Sequence, residues 1–252
     1  MYHDRRPKMT ALHLIVALLA VVALVVLLQF VIRRAITIRP DQARDWRDRV
    51  MLRYQKLPQV SQLATFAWIF AWFKLRLDPM FRELPEILTS VPNFRTALDL
   101  GCGFGIPACA VLELREAASV CGIDPRPTRV RVASAVFGDR GRAVQARAPD
   151  FEVAGLPDKF DAAFIVDMLH YLPDPAMELT LQNVFARLND GGLLIVRAII
   201  GRKSADQIQG VLTQAGFEVQ RSEISGNNPN LRWFIARARH SATVAAGPAA
   251  AQ

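Results

Sequence analysis

The stretch from Thr96 to Ala118 limits what this chain can fold into more than any other. Thr96-Ala97-Leu98-Asp99-Leu100 is a short apolar run, and Gly101-Cys102-Gly103-Phe104-Gly105 follows it directly. A helix is predicted next, from about Pro107 to Ala118. Strand, glycine loop and helix in that order form a nucleotide-binding arrangement, because glycine lets the backbone turn tightly and approach a ligand while the helix N-terminus offers free N–H groups. A second predicted strand, Ser119 to Ile123, ends at Asp124, where a carboxylate can accept two hydrogen bonds from a ribose diol.

These features alone also admit a nicotinamide-dinucleotide domain, so the glycine spacing discriminates. The pattern is Gly-x-Gly-x-Gly, and Ile106, followed by Pro107, holds the place of the third glycine in the dinucleotide fingerprint. An acidic residue closing the first strand, Asp99, sits badly beside a pyrophosphate and suits a ligand with a cationic amino-acid end. Leu98-Asp99-Leu100-Gly101-Cys102-Gly103-Phe104-Gly105 resembles the first motif of class I S-adenosylmethionine-dependent methyltransferases, and Gly122-Ile123-Asp124 resembles the second. The resemblance implies S-adenosylmethionine as cofactor, its methionine part on Asp99, Gly101, Cys102, Gly103 and Gly105, and its ribose on Asp124.

The likeness runs on through residues 96–239. Lys159 to Asp167 resembles the fourth strand, Met168 to Leu172 the segment beyond it, and Leu188 to Val196 the following loop and fifth strand, with Asp190 in place of the usual proline. Ala215-Gly216-Phe217-Glu218-Val219 precedes a sixth strand, and Arg232 to Ala238 supplies a seventh. The fold expected is α/β, a Rossmann-like seven-stranded methyltransferase sheet with helices on both faces and its last strand pair antiparallel. Near the end of the third strand the family often carries an acidic residue against the adenine. Asp150 is the nearest candidate, and a surface loop aspartate is the competing reading.

Upstream, residues 1–10 read as a short polar N-terminus, and Ala11 to Ile32 holds only His13 and Gln29 as polar residues, long enough as a helix to cross a hydrocarbon core. A secretory signal peptide would also have a basic start, but this run is too long and ends in Gln-Phe-Val-Ile-Arg-Arg without a small-x-small cleavage pattern. Residues 33–95 read as a basic juxtamembrane cap: a charged helix starting at Arg39-Pro40-Asp41 and broken by Pro58, an aromatic patch from Leu63 to Phe73, and a short helix from Met80 to Leu88. The patch is too short to span a bilayer and packs on the domain or lies in the membrane interface, roofing an acceptor pocket. Residues 240–252, rich in alanine, read as a disordered tail.

The net charge of +8 lies wholly before Thr96, because the remainder carries 16 basic and 16 acidic residues. Basic flanks on an apolar run suit an anionic membrane surface rather than a polynucleotide groove. Six arginines between Arg33 and Arg49 place the catalytic side in the cytoplasm by the positive-inside rule, which makes the chain a single-pass protein of the inner membrane. The three cysteines show no metal-ligand spacing, and no metal is expected. Methyl transfer from a sulfonium is an in-line displacement that chiefly needs alignment of the acceptor, helped by a base where the acceptor is a hydroxyl. Asp167 and His170, at the end of the fourth strand, are the candidate catalytic residues, with Asp167 also a candidate cofactor contact; packing around the cofactor is the competing reading for His170, and Arg197 reads as structural. The anchor, the aromatic patch and the absence of a charged substrate cluster point to a hydrophobic or lipid-linked small-molecule acceptor. No feature names a protein partner. The alternatives are a noncatalytic membrane scaffold that keeps the fold and an NAD-dependent oxidoreductase.

Overall fold

Short apolar runs bounded by glycine or charge form the strands β1 (Thr96–Leu100), β2 (Ser119–Asp124), β3 (Gly141–Gln145) and β4 (Phe160–Val166), as expected for parallel strands covered on both faces. In the computed structural model, which describes residues 11–58, 62–116, 118–151, 156–201 and 203–240, they join β5 (Leu188–Ile199), β6 (Phe217–Ser225) and β7 (Asn228–Ala238). The sheet order is β3-β2-β1-β4-β5-β7-β6, with the first five strands parallel and β7 antiparallel to both its neighbours. This is the mixed sheet the sequence predicts. The N-terminus expected at 1–10 and the tail from 241 lie outside the described residues.

Strand alternation divides the core in two. Ala97, Ala162, Phe164, Leu193, Ile195 and Trp233 face one layer, with α5 (Ile106–Leu114) and α6 (Pro127–Phe137); Leu98, Ala163, Ile165, Leu194, Val196 and Phe234 face the other, with α7 (Asp174–Ala186) and α8 (Ala205–Gln214). Chain order reverses at β1, which pairs with β2 on one side and β4 on the other, so a ligand crevice opens at the carboxyl ends of β1 and β4.

Among the described residues, four α-helices precede the sheet. α1 (Ala11–Ile36) runs four residues beyond the expected span, and Leu14–Ile36 contains an 18-residue stretch of mean hydropathy 3.2, so the segment is apolar and long enough to cross a membrane. Its side chains from Leu14 to Leu28 are exposed. α2 (Trp46–Gln55), α3 (Gln62–Leu77) and α4 (Met80–Ser90) form the helical cap and pack on the sheet domain, since Met51, Tyr54, Trp68, Ala71 and Leu84 share one core cluster with α5 and α6. α3 has two apolar stripes at helical spacing. Ala64, Ala67, Trp68, Ala71 and Leu75 are buried, while Phe66, Phe70, Phe73 and Leu77 are exposed.

Three expectations shift. The helix predicted from Pro40 starts at Trp46: Pro40 sets only a single 3-10 turn to Gln42, and Asp45 caps α2 instead, accepting from the Asp48 N–H at 3.0 Å. α5 ends at Leu114 rather than Ala118, since Arg115 leaves the helix and its guanidinium binds the carbonyls of Leu88 and Val91 at the end of α4. Part of the basic surplus of 33–95 is engaged within the molecule. Arg49 and Arg53 pair with Glu113 at 2.9 and 2.7 Å, Arg53 also donates to the carbonyls of Val136 and Phe137 at the C-terminus of α6, and Arg47 donates to the Phe81 carbonyl. Arg34, Arg39 and Arg44 remain exposed at the foot of α1, without ion pairs among the described residues.

Candidate active site

The glycine loop is built by backbone geometry. Gly101 and Cys102 both donate to the Ile123 carbonyl at 2.8 and 2.9 Å, and Gly105 donates back to the Cys102 carbonyl at 2.8 Å, folding the loop onto β2 before α5 begins. Gly101, Gly103 and Gly105 have φ of 82°, 57° and 86°, in the left-handed region that favours glycine. A Cβ at Gly101 would strike Met168 and one at Gly105 would strike Phe137, whereas one at Gly103 meets nothing within 4 Å. Gly103 therefore borders open space in which a ligand can approach the backbone. Cys102 contributes no side chain there, since its Sγ is buried beside Gly122.

Two carboxylates flank this loop. Asp124 Oδ2 accepts from the Gly103 N–H at 3.1 Å, Oδ1 accepts from the Arg126 N–H at 2.9 Å, and Arg129 stands 3.7 Å away. Asp99 is 2% exposed and its Oδ2 has no hydrogen-bond partner. Burial pushes the Asp99 carboxyl up to about 7, opposed by the Ala108 backbone N–H and helped by the Asp124 charge. An orphaned buried carboxylate oxygen is costly alone and is satisfied by a cation, so this end of the crevice fits an ammonium group. Asp150 is exposed beyond the Ala148–Pro149 bond, and the Pro149 carbonyl accepts from Asn183 of α7. Its carboxylate makes no hydrogen bond or ion pair among the described residues and is not brought into the Asp99–Asp124 pair.

The far side of the crevice is assembled from distant segments. Asp167 has φ of 52° and carries the one left-handed non-glycine backbone among the described residues, ending β4 while its N–H still reaches the Arg197 carbonyl at 2.9 Å. Arg197, 2% exposed, donates to Asp167 Oδ2 at 2.8 Å and to Asp78 Oδ1 at 3.0 Å. Lys74 bonds Asp78 and lies 3.5 Å from Asp167. Burial pushes the Asp78 carboxyl up, but its bond from Lys74 and the Arg197 charge outweigh this and hold it below the usual carboxylate range. Arg197 further donates to Ser225 at 3.1 Å, and Ser225 and the Trp233 indole both donate to Glu83 of α4. Arg197 thus ties Asp167, Asp78 and Ser225 together, and it also borders the crevice on this side.

Asp167 and His170 do not share a cavity wall. Asp167 and Arg197 border a cavity of about 590 Å³ walled by Phe70, Phe73 and Leu77 of α3, whereas His170 borders a second cavity of about 690 Å³ towards α7 and α8. Burial lowers the His170 pKa against the raising influence of Asp167, leaving the imidazole neutral near pH 7. Sequence reasoning missed Lys74 and Asp78. It also missed Tyr54, a buried α2 residue whose hydroxyl donates to the Phe104 carbonyl of the glycine loop at 2.8 Å. Phe66 and Phe70 lie edge-on to the Phe104 ring at 5.9 and 6.0 Å.

Residues 97–192 match a protein family described as Methyltransferase domain. The ubiquinone biosynthesis O-methyltransferase of Methylobacterium nodulans is 30% identical over 103 residues, covering 40% of this chain and 40% of the relative. That of Xylella fastidiosa is 35% identical over 128 residues, covering 50% and 48%. The chain thus spans less than half the length of these curated relatives. Among solved structures, an O-methyltransferase family protein from Burkholderia thailandensis superposes with a TM-score of 0.55 at 18% identity, over 75% of this chain and 66% of that one, which bears on the fold. These matches side with the methyltransferase resemblance over a nicotinamide domain. Family and fold together imply S-adenosylmethionine as methyl donor.

Proposed function

We propose that this chain, whose sheet carries a class I S-adenosylmethionine-dependent methyltransferase domain, methylates a hydroxyl of a hydrophobic, lipid-like acceptor at the membrane crossed by α1. The observation that carries the donor half is the glycine loop with Gly103 against open space and the unpartnered Asp99 Oδ2 beside it. S-adenosylmethionine, when bound, supplies a methyl group on a sulfonium open to in-line attack. Asp99 holds the cationic amino-acid end, Asp124 exchanges its bond from Gly103 for the ribose diol, and the glycine loop lets the backbone close on the methionine part. Cys102 contributes through its place in that turn.

The acceptor half rests on the cavity under α3. Phe70, Phe73 and Leu77 form an apolar wall facing a floor of Asp167, Lys74, Asp78 and Arg197 whose charges cancel. A neutral, apolar molecule carrying one or two hydroxyls suits that combination, because it leaves no charge unpaired. Asp167 Oδ1 is buried without a partner and accepts a hydrogen bond from cofactor or acceptor; His170 borders the adjoining cavity, and it is the candidate for removing the proton of a hydroxyl that reaches it across the shared wall at Tyr171 and Ile199. The relatives' printed name, O-methyltransferase, supports a hydroxyl acceptor. α1 anchors the chain, the exposed α3 stripe lies at the bilayer interface, and Arg34, Arg39 and Arg44 favour a cytoplasmic catalytic side of the inner membrane.

The test is methyl transfer by the full chain in phospholipid nanodiscs, with methyl-labelled cofactor and a lipid extract of the source membrane. Label in the apolar fraction, on a product heavier by one CH₂, supports the reading. Binding of NADH in place of S-adenosylmethionine would replace it by an oxidoreductase, and cofactor binding without transfer into any extract would favour the scaffold.

A further inference from the structure

The apolar span of α1 ends at Ile36, and a cavity of about 500 Å³ begins at the next residue, lined by Thr37, Ile38, Asp41, Gln42, Arg44 and Asp48. It shares no wall residue with the two cavities at the tip of β4. Its walls are held in place before any ligand arrives. Ile38 is bonded through both its N–H and its carbonyl to the Gln55 side chain, the Thr37 hydroxyl donates to the Arg33 carbonyl at 2.7 Å, and the Gln42 N–H closes the turn on the Arg39 carbonyl at 2.9 Å. Its charges divide into an engaged group and a free pair. Asp48 accepts from the Arg44 N–H at 3.0 Å and stands 3.6 Å from the Arg76 guanidinium. The carboxylate of Asp41 and the guanidinium of Arg44 are exposed on the same cavity, pair neither with each other nor with any other described residue, and so present one negative and one positive group side by side.

We propose that this cavity binds the headgroup of an ethanolamine phospholipid, with its phosphodiester on Arg44 and its ammonium on Asp41. The inference rests on the part of the reading above in which α1 crosses a membrane, and on none of the methyl-transfer chemistry. Depth, charge and hydrogen bonding select that head together. The polar layer on each side of a bilayer is about 5–7 Å thick, and a cavity that opens one residue past the span lies within it. A purely anionic head, such as a phosphoglycerol, satisfies Arg44 but brings its charge beside Asp41 and leaves that carboxylate without a cation. An ammonium donates N–H bonds to a carboxylate, whereas the trimethylammonium of a choline head carries no donor. Arg34 and Arg39, exposed on either side of Thr37 in the chain, remain for the general negative potential of the membrane surface.

The test is lipid retention by the full chain in nanodiscs that hold equal amounts of phosphatidylethanolamine, phosphatidylglycerol and phosphatidylcholine with identical acyl chains, read by native mass spectrometry after release. Phosphatidylethanolamine should be retained about three- to fivefold over phosphatidylcholine, the ratio that one exposed charge pair supplies. Asp41→Asn keeps the size of the side chain and removes its charge, so it should bring that ratio to about one; Arg44→Gln should lower retention of all three lipids. Both positions are exposed on a turn, and unchanged thermal unfolding midpoints will show that the variants are folded. Equal retention of the ethanolamine and choline lipids by the native chain, a ratio unmoved by Asp41→Asn, retention unmoved by Arg44→Gln, or phosphatidylglycerol retained above phosphatidylethanolamine would each overturn the site. Extraction with alkaline carbonate from vesicles of phosphatidylcholine alone keeps the two readings apart: a chain that washes off strikes the membrane span and the site with it, while a chain that stays but retains the lipids equally strikes the site alone.

Discussion

The two sides of the crevice handle charge in opposite ways. On the β1–β2 side, Asp99 and Asp124 are both buried, and Asp99 has no cation beside it, so burial pushes its carboxyl up to about 7. On the β4–β5 side, Lys74 and Arg197 face Asp78 and Asp167 in a closed quartet. One side is electrostatically incomplete until a cationic ligand arrives; the other is complete without one and disfavours a charged guest. A donor that is a cation and an acceptor that is neutral fit this division, and each of its halves can be broken separately.

The largest effect is expected at Arg197. Replacing it with leucine leaves two carboxylates beside Lys74 alone, and losing one partner of a buried ionic cluster costs about 3–5 kcal/mol. Chemical denaturation measures this, and a loss below about 1 kcal/mol would mean that solvent already screens the quartet. Next is Asp124→Ala, which removes the ribose acceptor. Charged hydrogen bonds contribute about 1.5–3 kcal/mol each, so S-adenosylmethionine affinity should fall about 100-fold by calorimetry, and the denaturation midpoint should fall as well, because the carboxylate also holds the Gly103 and Arg126 N–H groups.

A third effect is pH-dependent. In the unliganded protein Asp99 is protonated below about 7, and an ammonium partner requires the carboxylate, so binding releases a proton there. The dissociation constant should weaken by up to about tenfold for each pH unit below 7 and level off above it. Calorimetry in buffers of different ionisation enthalpy detects the proton, and Asp99→Asn should flatten the profile; a flat profile in the native protein would place the ammonium elsewhere. The same raised carboxyl makes stability of the unliganded chain decline as pH rises from the unfolded carboxylate range through 7, because the folded state binds the extra proton. The smallest effect belongs to Tyr54→Phe, which removes one bond to the Phe104 carbonyl at a cost of about 1 kcal/mol. Thermal unfolding should report it, together with a few-fold weaker cofactor affinity as the loop loosens.

The same division explains what the sequence made visible. Asp99, Gly103 and Asp124 meet through local geometry, a strand end, a tight loop and the next strand end, so their spacing carries their role. Lys74 and Asp78 meet Arg197 across more than a hundred residues, and no spacing rule links them. Arg197 had one legible signal: alternation from Leu193 and Ile195 places residue 197 on an otherwise apolar buried face, where an arginine demands carboxylate partners. Pro40 misled because a proline favours the first position of a 3-10 turn as readily as that of an α-helix. Asp167 and His170, three residues apart, read as neighbours in one site, yet the short turn that follows the left-handed Asp167 carries His170 to the wall of the adjoining cavity.

The link just after α1 carries a kinetic consequence. Gln55 of α2 binds Ile38 twice, its carbonyl oxygen accepting from the Ile38 N–H at 2.7 Å and its amide donating to the Ile38 carbonyl at 2.9 Å. This double clasp holds the chain two residues after α1 against the catalytic body, where a free tether would let the body swing. On the reading proposed above, in which α1 crosses a membrane and the acceptor lies in it, an enzyme mounted in this way samples that acceptor by lateral diffusion in two dimensions. Its turnover should then follow the mole fraction of acceptor in the bilayer, falling when inert phospholipid is added at constant total acceptor, whereas loss of the Gln55 clasp should lower turnover at every mole fraction by letting the body swing.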